Sequence, residues 1–347
     1  MTRVALLFLW IAIDKPEITS QKMISHPYVL SNVFLVFNCR PALLLSRFYG
    51  DMNMECECLT RRQVLGATLG VVAGFSLTTA CKSPLKLGGS RKGFRIGVCD
   101  WTIGKRSDPA SFEVAKRIGL DGVQVDFGGG ENDLQLFDKD LQARILAEAA
   151  KQEMQIASLA MGHLNNVPYK SDPRTEAWVS QAIDVAKSMR QNIILMAFFG
   201  NGDLRNDPKG IDEVVKRLKK VAPKAEDAGV ALGIESWLSA EEHLAIIERV
   251  GSPAVKVYYD VANSNMAGYD IYQEIRQLGK HICQFHAKDY DDLYGKGSID
   301  FEKVRSAVDD IGYRGWLVME GVKMPLGVEE SCRYDCEYLR TVFPQKV

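Results

Sequence analysis

Short apolar runs alternate with amphipathic stretches along the chain from Phe94 almost to the C-terminus. The runs have the length of strands, and the stretches between them repeat their apolar residues with helical spacing. The runs predict eight strands, at 94–103, 122–127, 155–161, 192–199, 230–236, 255–262, 281–287 and 316–320. Alternating strands and helices over about 250 residues predict a single-domain α/β protein, a (β/α)8 TIM barrel, in preference to an open doubly wound sheet.

Two Asp-Pro pairs mark predicted helix starts. Asp108 precedes Pro109, and Asp207 precedes Pro208. This is the order of an N-cap followed by proline in the first helical turn. The glycine-rich stretches do not support a dinucleotide fold, because residues 128–130 lack the spacing and the following helix that a pyrophosphate loop requires.

Four successive predicted strands, the fifth to the eighth, end on a polar side chain. These side chains are Glu235, Asp260, His286 and Glu320. The carboxyl ends of barrel strands meet at one rim, so we expect the four to converge on one point. Three carboxylates and an imidazole suit one divalent ion, and the oxygen-rich set favours Mn²⁺, Mg²⁺ or Co²⁺ over zinc. Without a cation, the converging acids would repel one another and raise their pKa values.

Further residues near this rim are candidate substrate contacts: Trp101, His163, Trp237, Asn263 and Lys288. An aromatic face can cover the C–H surface of a sugar, although ordinary rim packing explains a tryptophan equally well. The alternative for the histidine and the lysine is a solvent-exposed place in a loop.

Three more residues carry expectations of their own. Gln124 and Asp126 lie on the second strand, and we expect only one of them to face the barrel interior. His281 begins the seventh strand, at the end of the barrel that serves stability, and is interpreted as structural.

The composition limits the classes of partner. The chain has 347 residues, of which 46% are hydrophobic and 25% charged, and its formal net charge is −1. No basic field is available to hold nucleic acid. A small molecule is therefore the expected partner.

The residues before the barrel predict export. Arg61 and Arg62 precede an apolar run of mostly small residues up to Ala80, which resembles a twin-arginine signal. Cys81 follows in a sequence that resembles a lipoprotein cleavage box, although Thr78 stands where an aliphatic residue is usual. Lipid attachment at Cys81 and plain cleavage after Ala80 both stay open, and the expected location is the periplasm or, for a lipoprotein, the membrane.

Export signals lie near an N-terminus, so we interpret the residues upstream of the twin-arginine signal as the product of a misplaced start codon. A real N-terminal membrane segment is the alternative, but no early apolar patch reaches about 18 residues. The expected organisation is an upstream extension at 1–53, the export signal at 54–81, a linker at 82–93 and the barrel at 94–347.

Several segments of the barrel resemble the sugar phosphate isomerase/epimerase family, the xylose isomerase-like barrels. The segments are Gly233-Ile234-Glu235, 259–263, Phe285-His286-Ala287-Lys288-Asp289, 295–301 and 312–321. The resemblance implies a TIM barrel with one divalent ion held by the four strand-end residues, and proton transfers by Glu235 and Glu320. The chain departs from ketose 3-epimerases at Asn263, where those enzymes carry a histidine, and residues 290–294 lack their substrate-binding arginine.

The resemblance predicts a metal-dependent sugar isomerase or epimerase that removes a proton next to a carbonyl and forms an enediolate. A lyase, dehydratase or hydratase acting on a keto-sugar or inosose is the alternative enzyme, because elimination begins with the same proton removal. A barrel that binds a saccharide without converting it is the non-enzymatic alternative. The expected substrate in each case is a carbohydrate.

Overall fold

The computed structural model describes residues 93–130, 133–321 and 323–345. The upstream extension, the export signal and the lipid site at Cys81 lie outside the described residues, as does nearly all of the linker. These boundaries and the exported location therefore stay predictions. No helix in the described ranges is both long and apolar enough to cross a membrane.

Eight strands form one closed parallel barrel. They are β1 (Arg95–Cys99), β2 (Gly122–Asp126), β3 (Gln155–Met161), β4 (Ile193–Phe198), β5 (Ala231–Ser236), β6 (Val255–Asp260), β7 (Ile282–Ala287) and β8 (Trp316–Met319). Each strand pairs with its neighbours in chain order, and β8 closes the barrel by pairing with β1. The predicted (β/α)8 TIM barrel is confirmed.

Helices pack around the strands, which are buried on both faces. In the described ranges the α-helices are α1 (Ser111–Ile118), α2 (Lys139–Lys151), α3 (Arg174–Ser188), α4 (Pro208–Ala228), α5 (Ala240–Val250), α6 (Val261–Met266), α7 (Ile271–Leu278), α8 (Phe301–Asp310) and α9 (Val328–Val342). Asp207 caps α4 as predicted, because its side chain accepts a hydrogen bond from the Gly210 amide at 2.9 Å. Asp108 instead precedes a turn, and α1 begins three residues later, at Ser111.

Two details of the predicted pattern are wrong. β1 ends at Cys99 rather than Ile103, because the chain turns back and the Lys105 amide donates to the Asp100 carbonyl at 2.8 Å. Strands and helices do not alternate one to one either, since β6 is followed by two helices, α6 and α7. α6 begins immediately after Asp260, so the end of a strand is also the N-cap of a helix.

The barrel interior is filled below the rim. Tyr258 and Cys283 pack there with small and aliphatic side chains from β3, β4 and β5. A Cβ atom on Gly233 would lie 2.9 Å from Cys283 Sγ and 3.1 Å from Tyr258 Cβ, so this position has no room for a side chain. The packed layer supports the side chains at the carboxyl ends of the strands.

A register shift in β7 changes which side chains enter the barrel. Val257 pairs with Ile282 and Tyr258 pairs with Gln284, which leaves one extra residue on β7. Cys283 and His286 both contribute to the interior, although residues three apart on a regular strand face opposite sides. The shift therefore combines a filled interior with a histidine at the rim.

Candidate metal centre and substrate cavities

The four strand-end residues meet at the rim of the barrel. Glu235, Asp260, His286 and Glu320 each offer a ligand atom, and these atoms lie within 4.8 Å of one another. His286 Nδ1 lies 2.7 Å from Glu235 Oε1, 3.8 Å from Asp260 Oδ2 and 3.6 Å from Glu320 Oε2. We call these four residues the ligand cluster.

The two carboxylate oxygens of Asp260 have different surroundings. Oδ1 accepts hydrogen bonds from the backbone amides of Ala262 and Asn263, both at 2.8 Å. Oδ2 is buried and accepts no hydrogen bond. Burial raises the pKa of Asp260 to about 7. A buried carboxylate oxygen that accepts no hydrogen bond is costly unless a cation or proton compensates it.

His286 is oriented by the amide of Gln124. The Gln124 Oε1 atom lies 2.8 Å from His286 Nε2, and an oxygen there accepts an N–H. The Gln124 amide nitrogen in turn donates to Ser158 Oγ at 2.9 Å and to Tyr258 OH at 3.0 Å. This arrangement directs Nδ1 at the three carboxylates of the ligand cluster, as outer-shell partners of metal-binding histidines do.

Glu320 is held by two donors on opposite oxygens. Trp101 Nε1 donates to Oε1 at 2.9 Å, and Lys288 Nζ donates to Oε2 at 2.8 Å. Burial alone would raise the pKa of Glu320, but the positive charges of Lys288 and His286 outweigh it and lower that pKa to about 2. Lys288 Nζ also lies 3.6 Å from Asp260 Oδ2.

The ligand cluster fits a divalent cation. It supplies three carboxylates and one imidazole nitrogen, most of them buried, and one of its oxygens accepts no hydrogen bond. An oxygen-rich set of this kind suits Mn²⁺, Mg²⁺ or Co²⁺. The identity of the metal and the roles of the four residues stay predictions.

A cavity of about 380 Å³ lies over the ligand cluster, and we call it the first cavity. Four of the five predicted substrate contacts line it, namely Trp101, Trp237, Asn263 and Lys288. The fifth, His163, lines an adjoining cavity. The structure therefore brings all five to the carboxyl end of the barrel, while substrate binding by them stays a prediction.

Other residues of the first cavity escaped the sequence analysis. Arg106 enters from the loop after β1, and its Nη1 lies 3.0 Å from Asp126 Oδ2. Tyr290 enters from the loop after β7, and its hydroxyl donates to Asn263 Oδ1 at 2.5 Å. Neither follows a strand end directly, so only the course of the loops could reveal them.

One expectation for β2 is wrong. Gln124 and Asp126 both point inward, because Gln124 contacts His286 and Asp126 lines the first cavity. Residues two apart on a strand share a face, so alternation required this result. His281 lies at the opposite end of β7, away from the ligand cluster, as expected.

A larger cavity, of about 890 Å³, opens at the other end of the barrel, where the strands begin. None of the described residues that line it is acidic. It offers no carboxylate for a metal, and ligand chemistry in TIM barrels lies at the carboxyl ends of the strands. The smaller cavity over the ligand cluster is therefore the candidate active site.

The loop after β5 depends on a buried neutral histidine. His243 Nδ1 lies 3.0 Å from the Ser239 carbonyl oxygen and Nε2 lies 3.0 Å from Ser236 Oγ. Burial lowers the pKa of His243 to about 4, from an ordinary value of 6.5. The unfolded chain thus binds this proton more readily than the folded one. His243 contributes stability above pH 6.5 that is lost as the pH falls from 6.5 through 4, by about 3 kcal/mol at most.

Urea unfolding of the wild type and of His243→Gln, at about pH 7.5 and about pH 4.5, checks this expectation. Glutamine keeps two polar groups but does not titrate. The free energy of unfolding of the wild type should therefore fall more on acidification than that of the variant. An equal fall in both proteins would contradict the assignment of His243 as a buried neutral group.

Comparison with known proteins finds one matching family model and several relatives of lower identity. A family model described as xylose isomerase-like TIM barrel matches residues 112–342. The chain is 24% identical over 177 residues to the 2-epi-5-epi-valiolone 7-phosphate 2-epimerase of an Actinoplanes species, covering 51% of this chain and 65% of that protein. It is 28% identical over 134 residues to the D-psicose 3-epimerase of Enterocloster bolteae, covering 36% of this chain and 44% of that protein. Each match spans less than two thirds of the relative's length.

Solved structures share the fold. The D-psicose 3-epimerase of Clostridium cellulolyticum, crystallised with D-tagatose, superposes with a TM-score of 0.63 at 18% identity, over 73% of this chain and 100% of that one. The 3-keto-D-glucoside 4-epimerase YcjR of Escherichia coli gives a TM-score of 0.60 at 14% identity, over 72% of this chain and 99% of that one. Likeness at these identities shows the fold.

Proposed function

Because the chain belongs to the xylose isomerase-like TIM barrel family, we propose that it is a divalent-metal-dependent sugar isomerase or epimerase. The observation that carries the proposal is the convergence of Glu235, Asp260, His286 and Glu320 below a cavity that two tryptophans line. The reaction begins with removal of a proton next to a carbonyl. When bound, the divalent ion supplies positive charge that polarises the substrate carbonyl.

Two glutamates are suited to the proton transfers. Glu235 is the penultimate residue of β5 and Glu320 follows β8, so two strands separate them along the barrel and they reach the first cavity from different sides. A carboxylate within reach of a substrate C–H can take its proton, and a second one can return a proton to the opposite face. Epimerisation needs both groups, since a single base returns the proton to the side from which it came.

The remaining side chains position the substrate and balance charge. Lys288 compensates part of the negative charge of Glu320 and Asp260, at 2.8 Å and 3.6 Å. Asn263 and Tyr290 form a hydrogen-bonded pair on the cavity wall. Trp237 packs edge-on against Phe199, with ring centroids 5.4 Å apart, and provides an apolar wall for sugar C–H groups.

Elimination is the second candidate reaction. Lys288 Nζ lies 4.7 Å from the ring centroid of Tyr290, and both residues line the first cavity. Each side chain carries a proton that could be given to a departing hydroxyl group. A lyase or dehydratase would use the same proton removal and differ in this second step.

Hydrogen exchange tests the proposal. The purified protein, loaded with Mn²⁺, Mg²⁺ or Co²⁺, is incubated in D₂O with D-fructose, D-psicose and D-tagatose and with keto-disaccharides. Deuterium entering the carbon next to the carbonyl, seen by NMR and abolished by a chelator, is the expected result. An unsaturated product would identify elimination. Sugar binding without any exchange would refute the enzymatic proposal and favour a barrel that binds a saccharide without converting it.

A further inference from the structure

The first cavity continues into a second one. The second cavity, of about 470 Å³, lies beside it at the same end of the barrel. Arg106, Gly162 and Asn165 line both cavities. Both volumes fall in the range of roughly 300–1,000 Å³ that is typical of ligand pockets. A ligand seated over the ligand cluster can therefore extend past these three residues.

Glycines keep the second cavity open. A Cβ atom on Gly129 would lie 2.4 Å from His163 Nδ1, and one on Gly162 would lie 2.6 Å from Asp126 Oδ2. Gly162 stands at the passage between the cavities, and Gly129 stands on the wall of the second. A side chain at either position would displace a polar neighbour and narrow the space.

An internal carboxylate already engages two groups that could bind a phosphate, the Gly128 amide and Nη1 of Arg106. Asp126 Oδ1 accepts a hydrogen bond from the Gly128 amide at 2.6 Å, and Oδ2 pairs with Arg106 Nη1 at 3.0 Å. Arg106 is the one Lys or Arg among the described residues that line the second cavity, and the charge of Asp126 offsets it. A phosphate entering this space would approach Asp126 without an uncompensated guanidinium or ammonium group to receive it.

The polar groups that remain suit hydroxyl groups. His163, Asn165 and Asn166 line the second cavity, and planar amide and imidazole groups both donate to and accept from hydroxyls. His163 packs against Trp178, with ring centroids 5.9 Å apart, which fixes the imidazole at the wall. The described lining of the second cavity is thus polar, and its one guanidinium lies against Asp126.

We propose that the second cavity is a subsite for a neutral sugar unit, so that the preferred substrate is a keto-sugar bearing a glycosidic substituent rather than a sugar phosphate. This inference rests on the proposed function of the first cavity. The ketose unit lies over the ligand cluster, and the substituent passes Gly162 to contact His163 and Asn166. Proton removal and return are unchanged, because the substituent takes no part in them.

A matched series of ketoses tests the subsite. D-fructose, its 3-, 4- and 6-O-glucosyl derivatives (turanose, maltulose and isomaltulose) and D-fructose 6-phosphate share the ketose unit and differ in the substituent. On Mn²⁺-loaded protein, kcat/KM for exchange in D₂O and the Kd from calorimetry are measured for each. We expect at least one glucosyl-fructose to have a kcat/KM about tenfold higher and a Kd about tenfold lower than those of D-fructose. D-fructose 6-phosphate should have a lower kcat/KM and a higher Kd than D-fructose.

Substitutions in the second cavity locate the effect. Gly129→Val should raise KM and Kd for the favoured disaccharide by about tenfold and leave D-fructose unchanged. Asn166→Ala, at an exposed position, should raise KM and Kd for the favoured disaccharide by a few-fold. This variant keeps the test informative if Gly129→Val does not fold. Asn265→Ala, on α6 outside both cavities, is the matched control and should change neither sugar.

The outcomes separate the two proposals. Exchange of D-fructose at the same efficiency as every disaccharide would overturn the subsite and leave the proposed function standing. Tighter binding of a disaccharide without exchange of any sugar would support the subsite and refute the proposed function. Tighter binding of D-fructose 6-phosphate than of all the glucosyl derivatives would overturn the inference in favour of an anion site.

Discussion

Replacing Glu235 or Glu320 by glutamine is expected to lower the rate of substrate α-proton exchange by about 10²–10⁴-fold while a bound metal is retained. Glutamine keeps the length of glutamate and one ligand oxygen, but its amide cannot take a proton. For Glu320 the variant keeps an acceptor oxygen for one of its two donors, Trp101 or Lys288, and places an amide NH₂ beside the other. Exchange is followed in D₂O with whichever ketose the wild type converts, and metal content is measured on the same samples.

Glu274→Gln is the matched control for these variants. Glu274 is a buried glutamate away from the ligand cluster, where its two oxygens accept from the Ala240 amide at 2.7 Å and from the Tyr259 hydroxyl at 2.8 Å. The control should exchange at the wild-type rate. Wild-type exchange in both Glu235→Gln and Glu320→Gln at full metal occupancy would place the base elsewhere, with Lys288 and His163 next to be tested.

Removal of the imidazole of His286 is expected to abolish metal binding and turnover together. His286→Ala deletes a buried member of the ligand cluster and leaves three acids with Lys288 as the nearby positive charge. Loss of Gln124, which orients that imidazole through the 2.8 Å contact and is not a member of the ligand cluster, should have a smaller effect. We expect Gln124→Ala to weaken Mn²⁺ binding by roughly 10–100-fold, and His286→Ala to weaken it by more.

Calorimetric titration with Mn²⁺ measures both effects, and thermal unfolding provides a second readout. A bound ion at a hundred times its Kd adds about 2.7 kcal/mol to the free energy of unfolding. Added Mn²⁺ should therefore raise the Tm of the wild type and leave that of His286→Ala unchanged. His281→Ala, at the other end of β7, is the control and should bind Mn²⁺ like the wild type. An unchanged Mn²⁺ affinity in His286→Ala would refute the assigned site.

The organisation of the barrel could be predicted from the sequence because it depends on local pattern. Buried parallel strands are apolar throughout, and their lengths and spacing distinguish them from the helices between them. Strand order in a TIM barrel follows chain order, so the residues at the carboxyl ends of β5 to β8 had to become neighbours. The convergence of Glu235, Asp260, His286 and Glu320 follows from those two facts.

The contacts around the ligand cluster could not be predicted in this way. Gln124 reaches His286 across 162 positions of the chain, and Trp101 reaches Glu320 across 219. The first contact involves strands with register shifts, β2–β3 and β6–β7, and the second depends on where β1 ends. A one-residue shift changes the face on which a side chain lies, and nothing in a single strand's composition records it.

The sequence by itself determined the fold class, the rim that carries the polar strand ends, and the residue types that favour a divalent ion. Only the tertiary structure decided that the second oxygen of Asp260 faces the cluster, that Asp126 offsets Arg106, and that glycines open a second cavity beside the first. The physical reason is the range of the forces involved. Hydrophobic periodicity acts over neighbouring residues, whereas hydrogen bonds, ion pairs and cavities depend on the placement of loops that meet only after the barrel has closed.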